Sequence, residues 1–425
     1  MTHCLNLGAA DYLVKPIGSE VVKTLWLNVL RRLRKDERLQ TFSRDATLAE
    51  MIVNYYTPPF RRVDPLDFPR LDEIAAQERR VHLRAKLLSW SFSPHALSED
   101  DLLRCVEIVF MDVLSLDDLE MIHVSQDLMH HFILAIRSSY HATNPYHDFY
   151  HAADVLQATY YTCCCMGLLP DRTTDYQQFE STAESLGDAQ SSRYALRRIL
   201  RPKDVFALMI ASLGHDVGHP GVNNYYMINA RTPLAELYND QSVLENYHAT
   251  SLFLLMRKHG LHFHDNDQSS VFKEFRSTVV NAILATDMST HFDYVRRIHA
   301  QTERIRELSQ PSSTVEVTDA DRRLLIAAVI KCADICNASR PFAVAKVWCR
   351  ELMREFAMQS ALEKKMGMPV SMPVDDTPVA QAKSQIDFIS ALAMPLFAAV
   401  SQVIPQLQFT VDQLSANKST WEDIR

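Results

Sequence analysis

From Leu71 to the C-terminus, apolar residues recur at steps of three and four in run after run, and the alternation that marks a half-buried strand is scarce. That period gathers the apolar side chains of each run on one helical face, and such a face is stable only when packed against other elements. One run carries Leu102, Leu103, Val106, Val109 and Phe110 behind a start signal at Ser98-Glu99-Asp100-Asp101. Others cover residues 128–140, 204–213, 242–258, 277–285 and 320–336. The chain has only 9 glycines in 425 residues, and its apolar fraction of 47% can fill a large core. The expected fold class is all-α, a multi-helix domain over residues 80–425.

The formal charge of −8 and pI near 6.1 give no basic surface for nucleic acid. Cys163-Cys164-Cys165 are consecutive, and Cys332 and Cys336 sit at helical spacing, so the eight cysteines form no disulfide framework. No basic segment followed by an apolar one opens the chain, so a secretory signal is not expected. The apolar runs 207–213 and 324–330 stop at His215-Asp216 and Lys331, short of the roughly 20 residues a membrane span needs. These features predict a soluble, cytoplasmic protein with no nucleic-acid partner and no membrane span.

Residues 1–38 read differently. Gly8 to Lys15-Pro16 reads as a short strand, and an amphipathic helix is expected after it with Val22, Leu25, Trp26, Val29, Leu30 and Leu33. This stretch resembles the C-terminal end of a response-regulator receiver domain, an α/β fold. The resemblance implies that Lys15 matches the lysine that contacts the phosphorylated Asp in that family. The acceptor Asp itself is expected before residue 1, so a phosphorelay partner is implied only where the full receiver domain is present. Residues 39–79, with Pro58-Pro59, Pro65 and Pro69, read as a linker. Residues 171–192 are polar and aperiodic, as a surface insertion would be.

Within the helical region, His147, His151, His215, Asp216, His219, Glu245, His248, Asp287 and Asp334 fall inside apolar helices or at their ends. Buried acids and imidazoles pair with one another or bind metal, because an unpaired buried charge is costly. His147 and His151 are four residues apart and share a helical face. The simplest metal set is His151, His215, Asp216 and Asp334, two imidazoles and two carboxylates suited to Zn²⁺ with positions left for water. A second oxygen of Asp216 can reach a neighbouring Mg²⁺ or Mn²⁺, with His219 and Glu245 behind its waters. Glu245 has an equal claim as part of a capping box with Ser242.

From about residue 80 onward the chain resembles the catalytic domain of class I 3',5'-cyclic nucleotide phosphodiesterases, an HD-type fold. The segments that carry the resemblance are 146–155, 215–224, 237–248, 285–291, 331–341 and 384–389, in family order. It implies His147 as general acid and His151, His215, Asp216 and Asp334 as ligands of the tighter metal. It implies His219, Glu245 and Asp287 as the groups behind the metals. Gln385 would read the purine edge and Phe388 stack on the base, with Leu352 as the opposing apolar wall. Asn337 stands where cAMP-preferring members often carry Asn. The implied reaction is hydrolysis of a cyclic nucleotide, cAMP favoured, by a hydroxide held between two divalent ions. It would give a nucleoside 5'-monophosphate and end a signal.

For His147 to carry a proton near neutral pH it needs a carboxylate neighbour, for which Asp287 and Glu245 are the candidates. Two residues depart from the family pattern: Asp148 replaces the usual Asn, and Gly218 replaces a frequent Asp. Asp148 is expected to raise the pKa of His147 or alter its hydrogen bonds. Two alternative readings are a phosphohydrolase of the same HD type acting on another nucleotide, and a regulatory or scaffold homologue with weak catalysis.

Overall fold

The computed structural model describes residue 68 and residues 73–425, apart from 118, 120–123, 170–195, 262–269, 311–312, 374 and 376. All of them belong to one unit, Val53–Arg425. The receiver-like stretch 1–38 with Lys15, the 39–79 linker apart from 68 and the helical 73–79, and the 171–192 insertion lie outside the described residues.

Among the described residues every regular element is helical, as the apolar period predicts. In order these are α1 (Glu73–Leu87), α2 (Glu99–Leu114), α3 (Gln126–Ser139), α4 (Phe149–Cys165) and α5 (Pro202–Gly214). Next come α6 (Asn224–Asn229), α7 (Pro233–Leu237), α8 (Val243–Lys258), α9 (Ser270–Ala285) and α10 (His291–Leu308). The chain continues through α11 (Asp319–Asp334), α12 (Phe342–Lys365), α13 (Pro378–Phe388), α14 (Met394–Val403) and α15 (Gln408–Ile424). The start signal at Ser98 operates as read: its hydroxyl accepts from the Asp101 amide at 3.2 Å and opens α2.

Four helices form the frame of the site. α5 packs against α4 and α9, and α11 packs against the same two. Their apolar residues, among them Phe206, Met209, Ile210, Val279, Ile283 and Ile330, are buried. The candidate ligands stand at the helix ends. His215 caps the C-terminus of α5, Asp334 closes α11, and His151 lies in the first turn of α4. Two helix C-termini, each the negative end of a macrodipole, thus meet at one place and favour a cation there.

The chain leaving Asp334 is tied down by a buried cation. Arg340 is fully buried, and its guanidinium donates to Asp154 Oδ1 at 2.8 Å, to Gln157 Oε1 at 2.7 Å and to the Trp90 carbonyl at 3.1 Å. Asn417 of α15 donates to the carbonyls of Ala338 and Arg340, each at 2.8 Å. Asp154 lies one helical turn past His151, so this knot fixes two metal-ligand candidates relative to each other. Arg340→Leu strands the Asp154 carboxylate in the core and is expected to destabilise the fold by about 3 to 5 kcal/mol in denaturant unfolding. A loss below ~1 kcal/mol would show that the pair is not structural.

The helical run Pro378–Val403 is long and apolar enough to cross a bilayer, but 50% of its most apolar window is buried within the fold. It is a core element, and it carries Gln385 and Phe388.

Candidate active site

Asp148 starts the site. Its carboxylate accepts from the amides of Tyr150 at 2.9 Å and His151 at 3.1 Å and so caps α4. Burial raises its pKa to about 7, although the two amides pull it down. The side chain that departs from the family pattern is thus spent on the helix end. Gly218 has a backbone φ of +79°, a left-handed turn that suits glycine, which accounts for the second departure.

His151, His215, Asp216 and Asp334 come together as the sequence reading required. One ligand atom from each lies within 4.8 Å of all the others. Asp334 Oδ1 is 3.3 Å from His151 Nε2 and 3.2 Å from His215 Nε2. Asp216 Oδ2 is 3.6 Å and 3.2 Å from the same two nitrogens. His215 Nδ1–H donates to the Ser212 carbonyl at 2.9 Å, which turns Nε2 toward the carboxylates. His151 Nε2 is buried with no hydrogen-bond partner.

Two half-buried carboxylates facing two buried imidazole nitrogens demand positive charge. Burial opposes protonation of His215, yet Asp216 and Asp334 hold its pKa well above the usual range. A divalent cation satisfies that demand with neutral imidazoles and ionised carboxylates as ligands. The donor set therefore fits a divalent metal.

His147 lies beside this cluster, its Nε2 3.9 Å from Asp216 Oδ2. Its Nδ1 is hydrogen-bonded to Glu355 Oε1, while Glu355 Oε2 accepts from the amides of Tyr146 and His147, each at 3.0 Å. Burial works to lower the pKa of His147. The charge and hydrogen bond of Glu355, aided by Asp216 and Asp334, outweigh it and raise it to about 9. In turn, Glu355 is pulled down to about 2 against burial by the same pair. The carboxylate beside His147 is thus neither Asp287 nor Glu245. Asp287 accepts from Ser242 Oγ at 2.6 Å and from the Ser289 amide at 2.8 Å. Both Glu245 oxygens accept from Asn224 Nδ2, at 3.1 and 2.9 Å. The alternative for Glu245 also closes, because Ser242 takes a left-handed conformation and makes no side-chain cap.

The His219 ring stacks on that of His147 at 3.9 Å between centroids. Burial, then the His147 charge, hold its pKa well below the usual range, so His219 is neutral beside a protonated partner. His248 donates from Nδ1 to the Val217 carbonyl at 3.0 Å and aims a buried, unpartnered Nε2 at Asp216 Oδ1, 3.5 Å away.

Asn144 joins the two histidine stretches, donating from Nδ2 to the carbonyls of His147 at 3.0 Å and His219 at 2.8 Å. A Cβ on Gly221 would come within 2.8 Å of Asn144 Oδ1, and this position has a φ of +74°. Glycine here permits the close approach.

Four predicted residues stand apart from the cluster. Asn337 reaches its edge, donating from Nδ2 to Tyr146 Oη at 3.0 Å, and the Tyr146 ring lies 4.7 Å from those of both His147 and His151. Gln385 is buried, and Phe388 and Leu352 are half-buried against the core. Among the described residues no hydrogen bond links Gln385 to the histidine–carboxylate cluster.

A family model described as 3'5'-cyclic nucleotide phosphodiesterase matches residues 146–414, which span every residue of the cluster. The chain is 31% identical over 333 residues to the 3',5'-cyclic-nucleotide phosphodiesterase regA of Dictyostelium discoideum, covering 78% of this chain and 37% of that protein. It is 30% identical over 338 residues to the high affinity cGMP-specific 3',5'-cyclic phosphodiesterase 9A of Drosophila melanogaster, covering 80% of this chain and 20% of that one. It therefore spans well under half the length of these relatives. Among solved structures, the phosphodiesterase domain of the RhoPDE fusion protein of the choanoflagellate Salpingoeca rosetta superposes with a TM-score of 0.66 at 27% identity, covering 81% of this chain and 98% of that domain.

Proposed function

Since this chain belongs to the 3'5'-cyclic nucleotide phosphodiesterase family, we propose that it hydrolyses a 3',5'-cyclic nucleotide, cAMP favoured, to the nucleoside 5'-monophosphate, ending a cyclic-nucleotide signal in the cytoplasm. The observation that carries this reading is the place of His147, hydrogen-bonded to Glu355 and 3.9 Å from a carboxylate of a cation-seeking cluster. Such a pairing of a Lewis-acid site with a proton donor suits cleavage of an anionic phosphodiester.

His151, His215, Asp216 and Asp334 would hold a divalent ion, Zn²⁺ at the tighter position, with Asp216 shared by a second, Mg²⁺ or Mn²⁺. Bound there, the ions would supply a nucleophile at neutral pH and neutralise the phosphoryl oxygens. His219, Glu245 and Asp287 would orient the waters around them. His147 serves the leaving side. The 3' oxygen departs poorly as an alkoxide, and His147 Nε2, on the face of the ring turned to Asp216, delivers the proton it needs. Glu355 keeps that proton in place at neutral pH and fixes the ring by gripping both Nδ1 and the backbone.

The base is assigned to Gln385, whose amide offers a donor and an acceptor, and to Phe388, three residues on along the same helix face. Leu352 would form the opposite wall. The choice of cAMP rests on Asn337, which stands where cAMP-preferring members of the family often carry Asn. Its Oδ1 accepts from the Ala338 amide at 2.8 Å and its Nδ2 donates to Tyr146, so one amide hydrogen is left for a base. Gln385→Ala is expected to raise KM about tenfold, the worth of one or two hydrogen bonds, with kcat nearly unchanged. An equal fall in kcat would remove Gln385 from base binding.

Turnover of cAMP and cGMP by the purified chain with Mg²⁺ tests the reading. Hydrolysis of both, with the higher kcat/KM for cAMP, is expected. A folded protein that turns over neither would refute it, and one that prefers cGMP would refute only the choice of nucleotide.

A further inference from the structure

We infer that His291 is a positioning residue for the base-binding end of the site, acting through the turn that follows Phe388. The inference rests on the reading of Gln385 and Phe388 as the base contacts.

The run Pro378–Val403 is helical throughout but not uniform. Residues Ile389–Ala393 form a π-turn, in which the Met394 amide bonds to the Ile389 carbonyl five residues back. Pro395 follows at once. A proline inside a helix lacks the N–H that would bond one turn back, and its ring pushes against a carbonyl there. A π-turn relieves this by placing one extra residue in the turn. At 3.6 residues per turn, one residue more or less rotates the two flanking segments relative to each other by about 100°. The direction in which Gln385 and Phe388 point therefore depends on whether the wide turn is kept.

His291 holds that turn. It is fully buried, and its Nε2–H donates to the Leu392 carbonyl inside the π-turn at 3.2 Å. Its Nδ1 is buried with no hydrogen-bond partner. As packing alone an aliphatic side chain would serve better here, because the imidazole leaves a polar atom unsatisfied. What the imidazole adds is the bond to Leu392. Burial, then the charge of Lys331, lower its pKa, so it stays neutral with its one proton on Nε2. His291 also opens α10 directly after the turn that begins at Asp287. One short segment thus carries both Asp287 and His291.

The test compares His291→Leu with His291→Gln, which keeps a donor of similar reach, each alone and combined with Gln385→Ala. His291→Leu is expected to raise KM about tenfold with kcat within about twofold, and to add little when Gln385 is already Ala. His291→Gln should restore KM to within about threefold of the unmodified chain. Amide hydrogen exchange over residues 389–394 should speed up at least tenfold in His291→Leu and not in Gln385→Ala. Exchange needs no substrate, so it separates this inference from the assigned reaction. If the chain turns over no cyclic nucleotide, the reaction fails while faster exchange still upholds the hold on the turn. Unchanged exchange, an unchanged KM, or a KM effect that simply multiplies with that of Gln385→Ala would each overturn the inference. If His291→Leu does not fold, a His291→Gln chain with wild-type exchange and KM upholds it, and one that folds with the tenfold defect overturns it.

Discussion

Asp334→Ala is expected to lose metal and activity together. Asp334 Oδ1 lies between His151 Nε2 and His215 Nε2, at 3.3 and 3.2 Å, and is the contact that draws the two imidazoles to one point. Without it the set keeps one carboxylate, Asp216, against two imidazoles and the protonated His147. Loss of a group behind a metal ligand costs roughly 10–100-fold in metal affinity or activity, so loss of a ligand should cost more. Metal content by elemental analysis should fall with turnover, while helical content by circular dichroism stays. Asp334 is the last residue of α11 and only half-buried, so its side chain is not part of the apolar packing that holds the helices. Retained metal and near-normal turnover in this variant would show that the cluster is not the metal site.

The second large effect concerns the acid and its partner. Glu355→Gln keeps an oxygen to accept from the amides of Tyr146 and His147 but removes the charge that holds the imidazole proton. With Glu355 in place the pKa of His147 is raised to about 9, so the acid is protonated at pH 7 and at pH 8. Remove that charge and burial, which works downward, gains ground. The folded-state pKa falls, and the protonated fraction is lost at a lower pH. Activity should therefore drop by about 10²-fold at pH 8, the lower end of what a misplaced general acid costs, and by distinctly less at pH 6. The alkaline limb of the kcat–pH profile moves down. A deficit of equal size at every pH would mean that Glu355 acts only as a structural brace.

The candidate metal set was readable in the sequence because its members lie in short local patterns. His147 and His151 share a face by spacing alone, and His215-Asp216 ends an apolar run where a helix has to stop. What remained was to bring the ends of α5 and α11 to the start of α4, and the apolar faces of those helices achieve it. Glu355 was not legible for the opposite reason. It lies 208 residues from His147 and sits in a charged stretch with Glu351, Arg354 and Glu363, where any acid reads as a solvated face. Its one local signal is that Leu352, Met353 and Phe356 flank it, which places it toward the packed side of α12. For Glu245, the choice between a helix cap and a site residue depended on the backbone of Ser242. A φ of 43° there is a conformation that no local pattern announces for a serine. The proposed base contacts are the least legible, since Gln385 and Phe388 sit in a run that looks like any apolar helix.

The most direct test of the central claim is the fate of the phosphorus–oxygen bonds. cAMP incubated with the chain and Mg²⁺ in ¹⁸O-labelled water, followed by ³¹P NMR and mass spectrometry, should give 5'-AMP with one labelled oxygen on phosphorus. That outcome means water attacks phosphorus and the 3' oxygen leaves, as a proton donor at His147 requires. Formation of 3'-AMP, or intact cAMP after prolonged incubation with folded, metal-loaded protein, would contradict it.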